Sequence, residues 1–265
     1  MKLHDQHVHS YYSFDSKENM ENYFIEAKKQ NLDYIAFTDH VDFMAIFSDF
    51  KDDLFDYDKY KEEILRLGEK YNITPLIGVE MGFQKKKLKE IKEFLNRKYD
   101  LIILSVHERD AYDFYYKPSF EEHGVEKLLD LYFDYILQAL DSDISFEILG
   151  HYDYVFRSYY RWYNQYIDVE KYRDVITKIV QKAIQRNVAL EINTSAYETI
   201  KSFYYIDFFL EIFKENNGKY LVVSSDCHAV NRYRSSLDEI IKHLKEKGIK
   251  HLTYFVNREK HLYEI

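Results

Sequence analysis

Nine side chains of the kinds that bind metal ions recur in short motifs along this chain. They are His7 and His9 in HDQHVHS, Asp15, His40 in FTDH, Glu80 in GVEMG, His107 in LSVHE, His151 in GHYD, and Asp226 and His228 in VSSDCH. Two histidines spaced i, i+2 on an extended segment point to the same side, so His7 and His9 can grip one ion. The same spacing places Asp226 and His228 together and turns Cys227, between them, away as a small packed residue. Glu80 follows the mostly apolar run PLIGV, where an unpaired carboxylate would be costly, and a bridging role between ions or a salt bridge would remove that cost. Asp39, next to His40, can orient an imidazole, because ligating histidines usually give their other N–H to a carboxylate or carbonyl. Asp15 reads either as a ligand or, with Ser16, as the N-cap of a following helix. The donor set is nitrogen and oxygen, with no sulfur required, which suits Zn, Mn or Fe. Ions in such a site favour hydrolysis, because they lower the pKa of bound water and neutralise charge on a phosphoryl group.

Nearly every motif ends a short apolar run. Strands are expected at residues 3–8, 34–37, 75–79, 101–106, 145–149, 189–192 and 220–224. Helical patterns lie between them at 17–30, 58–71, 86–97, 120–140, 169–186, 206–215 and 236–247, with Val175, Ile179 and Ile184 expected on one face of the helix from Val169. This alternation predicts a parallel α/β fold, either a doubly wound sheet or a barrel. Ligands at the ends of many different strands favour the barrel, whose active site gathers at the C-terminal face. The loops 41–56 and 108–119 are long and aromatic and are expected to cover the site.

The bulk properties fit one domain over residues 1–265: 46% of residues are hydrophobic, and 7 Gly and 2 Pro leave no linker. A formal charge of -9 argues against a nucleic-acid partner. The single cysteine excludes a disulfide framework and points to the cytoplasm. The first residues do not read as a signal peptide, and no run approaches the ~20 apolar residues of a membrane span. The 27 Tyr and 19 Phe reflect coding bias more than function, a few pocket-lining rings excepted. No nucleotide-binding glycine loop and no G-x-S-x-G elbow is present. The oligomeric state is left open by the sequence.

The ordered series HVHS, FTDH, GVE, SVH, GHYD, EINTS and SSDCH resembles the PHP superfamily of polymerase and histidinol-phosphatase domains over about residues 3–260, and most of all its monofunctional phosphatases. The resemblance implies a distorted (β/α)7 TIM-like barrel with three divalent ions. His7, His9, Glu80 and Asp226 would hold the first, Glu80, His107 and His151 the second, and Asp15, His40 and His228 the third. It also implies a small phosphate ester, L-histidinol phosphate, as substrate. A hydroxide bridging the first two ions would attack phosphorus, with Asp226 and His228 moving protons. Another small phosphate ester, or a non-catalytic metal-binding module, are the alternatives. Arg157 and Arg232 are chosen from the arginines after GHYD and SSDCH as phosphate ligands, since the guanidinium fork matches phosphate oxygens. Ala196, Tyr197 and Glu198 after EINTS depart from relatives that carry Gly and then a basic residue. Glu191 and Asn193 are expected to support the ligands.

Overall fold

Residues 5–265 are described by a computed structural model. Its main sheet runs, from one edge, Leu221–Ser224, Ala189–Asn193, Ile148–Leu149, Leu101–Ser105 and Thr74–Gly82, all parallel. On the far side of Thr74–Gly82, Tyr34–Phe37 pairs with its first half and His40–Ala45 with its second. Lys51–Asp53 folds back antiparallel on His40–Ala45.

The two edges meet through the segment around Val8. Val8 forms a parallel bridge with Cys227. The Val8 carbonyl accepts from the Thr38 N–H at 2.9 Å, and the His9 N–H donates to the Cys227 carbonyl at 2.9 Å. The sheet therefore closes into a barrel by a single bridge rather than a full strand. The strand expected at residues 3–8 is reduced to that bridge, and Leu3 and His4 lie outside the described residues.

Side-chain alternation explains what fills the barrel. Ala36, Leu76, Leu101, Ile103, Ile148, Ala189 and Val222 form an apolar cluster with Phe255. Continuing each strand in steps of two, the same face carries Thr38 and His40, Gly78 and Glu80, Ser105 and His107, Glu191 and Asn193, and Ser224. The lumen thus turns from apolar to polar toward the C-terminal ends. The intervening residues, among them Phe37, Val79, Ile102, Leu190 and Val223, belong to the larger core under the helices. A methyl on Gly78 would meet Thr38, and one on Gly150 would overlap Ser105 Oγ, so both positions need the bare backbone.

Several elements differ from the sequence expectation. The first helix is Met20–Lys29, capped by the Asn19 side chain on the Glu21 N–H, so neither Asp15 nor Ser16 is its cap. The pattern 120–140 is two helices, Lys117–His123 and Val125–Asp141, broken at Gly124 with φ 78°. The pattern 169–186 opens with a 3-10 turn, Val169–Tyr172, before Arg173–Gln185. That helix buries Ile176, Ile179, Val180 and Ala183, and Val175 and Ile184 only flank this face. Helices Tyr154–Tyr163 and Thr194–Ile200 are additional, their tyrosines and short lengths masking any apolar period. So is the hairpin His251–Val256 with Glu259–Glu264, turned by Asn257 and Arg258, both with positive φ. Among the described residues no helix is long and apolar enough to cross a membrane.

Candidate metal centre

His7 and His9 flank the bridging Val8, and their rings enter the lumen 5.0 Å apart. His7 Nε2 lies 3.1 Å from Glu80 Oε2, and His9 Nε2 lies 3.2 Å from Asp226 Oδ1. Glu80 is inside its strand, not beyond it, because Thr74–Gly82 runs longer than the apolar run suggests. Its Oε1 faces His107 Nε2 at 3.2 Å and His151 Nε2 at 3.0 Å, so the two oxygens of one carboxylate serve two clusters. Asp226 adopts a left-handed backbone, φ 52°, just past Leu221–Ser224. The regular alternation expected there is therefore broken, yet Asp226 and His228 both reach the site. Cys227 faces outward, buried, with Sγ 3.9 Å from the Tyr23 hydroxyl.

Asp15 lies 3.0 Å from His228 Nε2 and 3.8 Å from His40 Nε2. Ligand atoms of His7, His9, Glu80 and Asp226 lie within 4.8 Å of one another, as do those of Glu80, His107 and His151. A third grouping joins His9, His40 and His228, and a fourth His40, Asp42 and His107. His7 Nε2, His9 Nε2, His228 Nε2 and Glu80 Oε2 are buried without a hydrogen-bond partner. Each such atom costs ~1–3 kcal/mol if left so. Converging unpartnered lone pairs are the donor set that divalent cations complete, so the residues present fit the metal.

Supporting contacts hold the rings. Glu191 Oε1 lies 2.6 Å from His7 Nδ1, and its Oε2 accepts from the His151 N–H at 2.7 Å. Asn193 Nδ2 donates to Asp226 Oδ2 at 3.0 Å. Both residues thus contact candidate ligands. Asp39 instead accepts from Ser13 Oγ at 2.8 Å, and Ser13 Oγ sits 3.0 Å from His9 Nδ1. Asp39 thus bears on the His9 imidazole through Ser13, whose hydroxyl also accepts from the His40 backbone N–H at 3.0 Å. Burial disfavours charge on His7, but Glu191, Glu80 and Asp226 outweigh it and hold the imidazole well above its ordinary pKa. His9 is pushed down to about 3 by burial and by His228 and His40. Burial opposes ionisation of Glu80 and Asp226, yet the histidines around them keep both carboxyls well below the usual range.

Above the cluster opens a cavity of about 360 Å³. Arg157 reaches it from helix Tyr154–Tyr163, 5% exposed, donating from Nη1 to Asp226 Oδ2 at 3.2 Å. Arg232 stands at the rim, exposed and paired with Glu198, the residue that departs from the relatives' pattern. The loops expected to cover the site supply Asp42 and Phe47, and Glu108, Asp113, Tyr115 and Tyr116. Arg161 and Asp42 also line the cavity; Arg161 is one of the arginines after GHYD and SSDCH, passed over in favour of Arg157 and Arg232, and the only signal for Asp42 is its i+2 spacing from His40.

The PHP domain family model matches residues 5–195. The chain belongs to the PHP family. This PHP chain is 32% identical to a histidinol-phosphatase of Lactococcus lactis over 96% of its own length and 95% of the relative's. It is 28% identical to a probable histidinol-phosphatase of Clostridium acetobutylicum, over 84% and 86% of the two chains. The crystal structure of the histidinol phosphate phosphatase from Lactococcus lactis, complexed with Zn, L-histidinol and phosphate, superposes with a TM-score of 0.85 at 27% identity, covering 98% of this chain and 99% of that one. The PHP fold, the TIM-like α/β barrel and a divalent-metal centre are thus common ground of sequence and structure.

Proposed function

We propose that this protein is a metal-dependent phosphomonoesterase that hydrolyses L-histidinol phosphate to L-histidinol and phosphate. The observation that carries the reading is the cage of unpartnered buried donor atoms beneath a small cavity, with the buried Arg157 at its wall. The similarity to a phosphatase solved with Zn, L-histidinol and phosphate supports the substrate. In this reading residues 1–265 form one metallophosphatase domain in the cytoplasm, and the buried free Cys227 needs no oxidising compartment.

Three divalent ions, Zn, Mn or Fe, are assigned to three sets of ligands. His7, His9, Glu80 and Asp226 hold the first, Glu80, His107 and His151 the second, and Asp15, His40 and His228 the third. Close approach within each set supports the assignment. When bound, such ions lower the pKa of water and neutralise charge on a phosphoryl group. Arg157 and Arg232 bind phosphate oxygens, Arg157 from inside the cavity and Arg232 from the rim. Asp226 is anionic at neutral pH, the state required to take a proton from the attacking water. As the new P–O bond forms and the ester P–O bond breaks, Asp226 or His228 returns a proton to the leaving alkoxide. The cavity also carries Glu108 and Asp113 with the rings of Phe14, Tyr115 and Tyr154, groups that suit a small cationic alcohol bearing an imidazole.

Metal-loaded protein assayed against L-histidinol phosphate and a panel of nucleotide and sugar phosphates tests this. The highest kcat/KM is expected for L-histidinol phosphate. Preference for a nucleotide would overturn the substrate, and a flat response to the whole panel would overturn the phosphatase reading.

A further inference from the structure

Asp42 lies two residues beyond His40 on strand His40–Ala45, and its side chain turns into the lumen at 5% exposure. Gly82, on the neighbouring strand, makes room for it: a methyl there would overlap Asp42 Oδ1. Each carboxylate oxygen faces a different imidazole. Oδ1 lies 3.3 Å from His107 Nδ1, and Oδ2 lies 3.5 Å from His40 Nδ1. On the far side of each ring, His107 Nε2 faces Glu80 Oε1 and His151 Nε2, and His40 Nε2 faces Asp15. His40 Nδ1 is also 3.1 Å from Glu80 Oε2, but that oxygen points at His7 and His9 as well, at 3.1 and 3.4 Å. Glu80 Oε2 is drawn to that first cluster, and Asp42 Oδ2 and His40 Nδ1 are left facing each other, both buried and without a hydrogen-bond partner.

We propose that Asp42 is a positioning residue that holds both His107 and His40 with Nδ1 protonated, so that their Nε2 lone pairs face the second and third ion sites. One carboxylate therefore couples two sites that share no ligand. This rests on the three-ion reading above. A carboxylate behind a ligating imidazole fixes its tautomer and raises its basicity, and losing it costs about 10–100-fold in metal affinity.

Asp42→Ala removes both acceptors, so neither imidazole N–H keeps a carboxylate partner. Zinc content per chain, measured after equilibration at graded free zinc and without substrate, reads the sites directly. For Asp42→Ala, two of three sites are expected to weaken together by about 10–100-fold, with the remaining site unchanged. Gly82→Ala, which displaces the carboxylate without removing its charge, is expected to do the same. Melting temperatures of the metal-free variants separate this from loss of fold, and Gly82→Ala carries the test if Asp42→Ala does not fold. Three unaltered affinities, or the loss of one site alone, would overturn the coupling. A wild-type chain that loads fewer than three ions in the same titration would overturn the three-ion reading, and the coupling with it.

Discussion

Asp226 shows how much one residue can carry. Its Oδ1 joins the histidine cluster while its Oδ2 takes hydrogen bonds from Arg157 and Asn193. Asp226→Asn keeps the volume and removes the charge, so kcat should fall by about 10²-fold or more while the fold survives. Near-normal turnover at full metal loading would rule out its role in proton transfer. The charge states around it set a pH dependence. In the metal-free chain His7, His107 and His228 are all held above the ordinary imidazole pKa: burial opposes this in each, and nearby carboxylates led by Glu191, Glu80 and Asp15 respectively outweigh it. Their contribution to stability is full below about 6.5 and is lost as pH rises through the folded-state values. Glu80 and Asp226 are held below the carboxylate range, so theirs is present above about 4 and lost as pH falls. These five groups should stabilise metal-free protein most between about pH 4.5 and 6.5, and His9, held neutral down to about 3, should shift the highest melting temperature to the upper end of that window. Because ions require neutral imidazoles, zinc loading near neutral pH should release protons, fewer as pH rises. Calorimetry in buffers of different ionisation enthalpy checks this, and proton uptake on loading would contradict the assigned ligands.

The helix-strand alternation of this chain is readable because strand runs such as LIILS and helix faces such as that of Tyr57–Tyr71 have distinct apolar periods. Boundaries are set by finer chemistry. Asn19 outcompetes Asp15 and Ser16 as a cap because its side chain meets the Glu21 N–H, which leaves Asp15 free to face His228. Gly124 interrupts what reads as one helix, with φ 78° and ψ 148°, a conformation almost confined to glycine. Nothing lies within 4 Å of a methyl added there, so Gly124→Ala isolates the backbone cost. It should destabilise the protein by about 1–3 kcal/mol in urea unfolding, with kcat of the loaded enzyme unchanged. An unaltered midpoint would mean that the chain relaxes out of this conformation at no cost.

For the whole molecule, barrel closure brings positions as distant as His7 and His228 together. It depends on the Val8–Cys227 bridge and on the hairpin that carries Phe255. Gln6 is bonded twice to the Phe255 backbone, by its Nε2 to the carbonyl and by its Oε1 to the N–H, each at 2.8 Å. This joins the floor of the barrel to the strap that bears His7 and His9. Phe255→Ala should cost about 3–5 kcal/mol in unfolding of metal-free protein while the loaded enzyme keeps its kcat, because the ring fills the end remote from the ligands. A selective loss of metal binding without loss of stability would instead mean that Phe255 acts on the site.

The sequence by itself offered the candidate metal-binding side chains, their order and their association with apolar strand runs, because period-two alternation and the cost of burying polar groups are local properties. From these alone the parallel α/β class and a divalent-metal site were legible, while the supporting places of Glu191 and Asn193 came from the family resemblance. Only the tertiary structure decided that Glu80 presents one oxygen to each of two clusters. It alone showed that Asp39 acts through Ser13, that Arg157 lies buried against Asp226 while Arg232 is drawn to Glu198, and that Asp42 stands behind two imidazoles. Those outcomes depend on which strands become neighbours and on where Gly82 leaves space, relations between distant segments that no local spacing encodes.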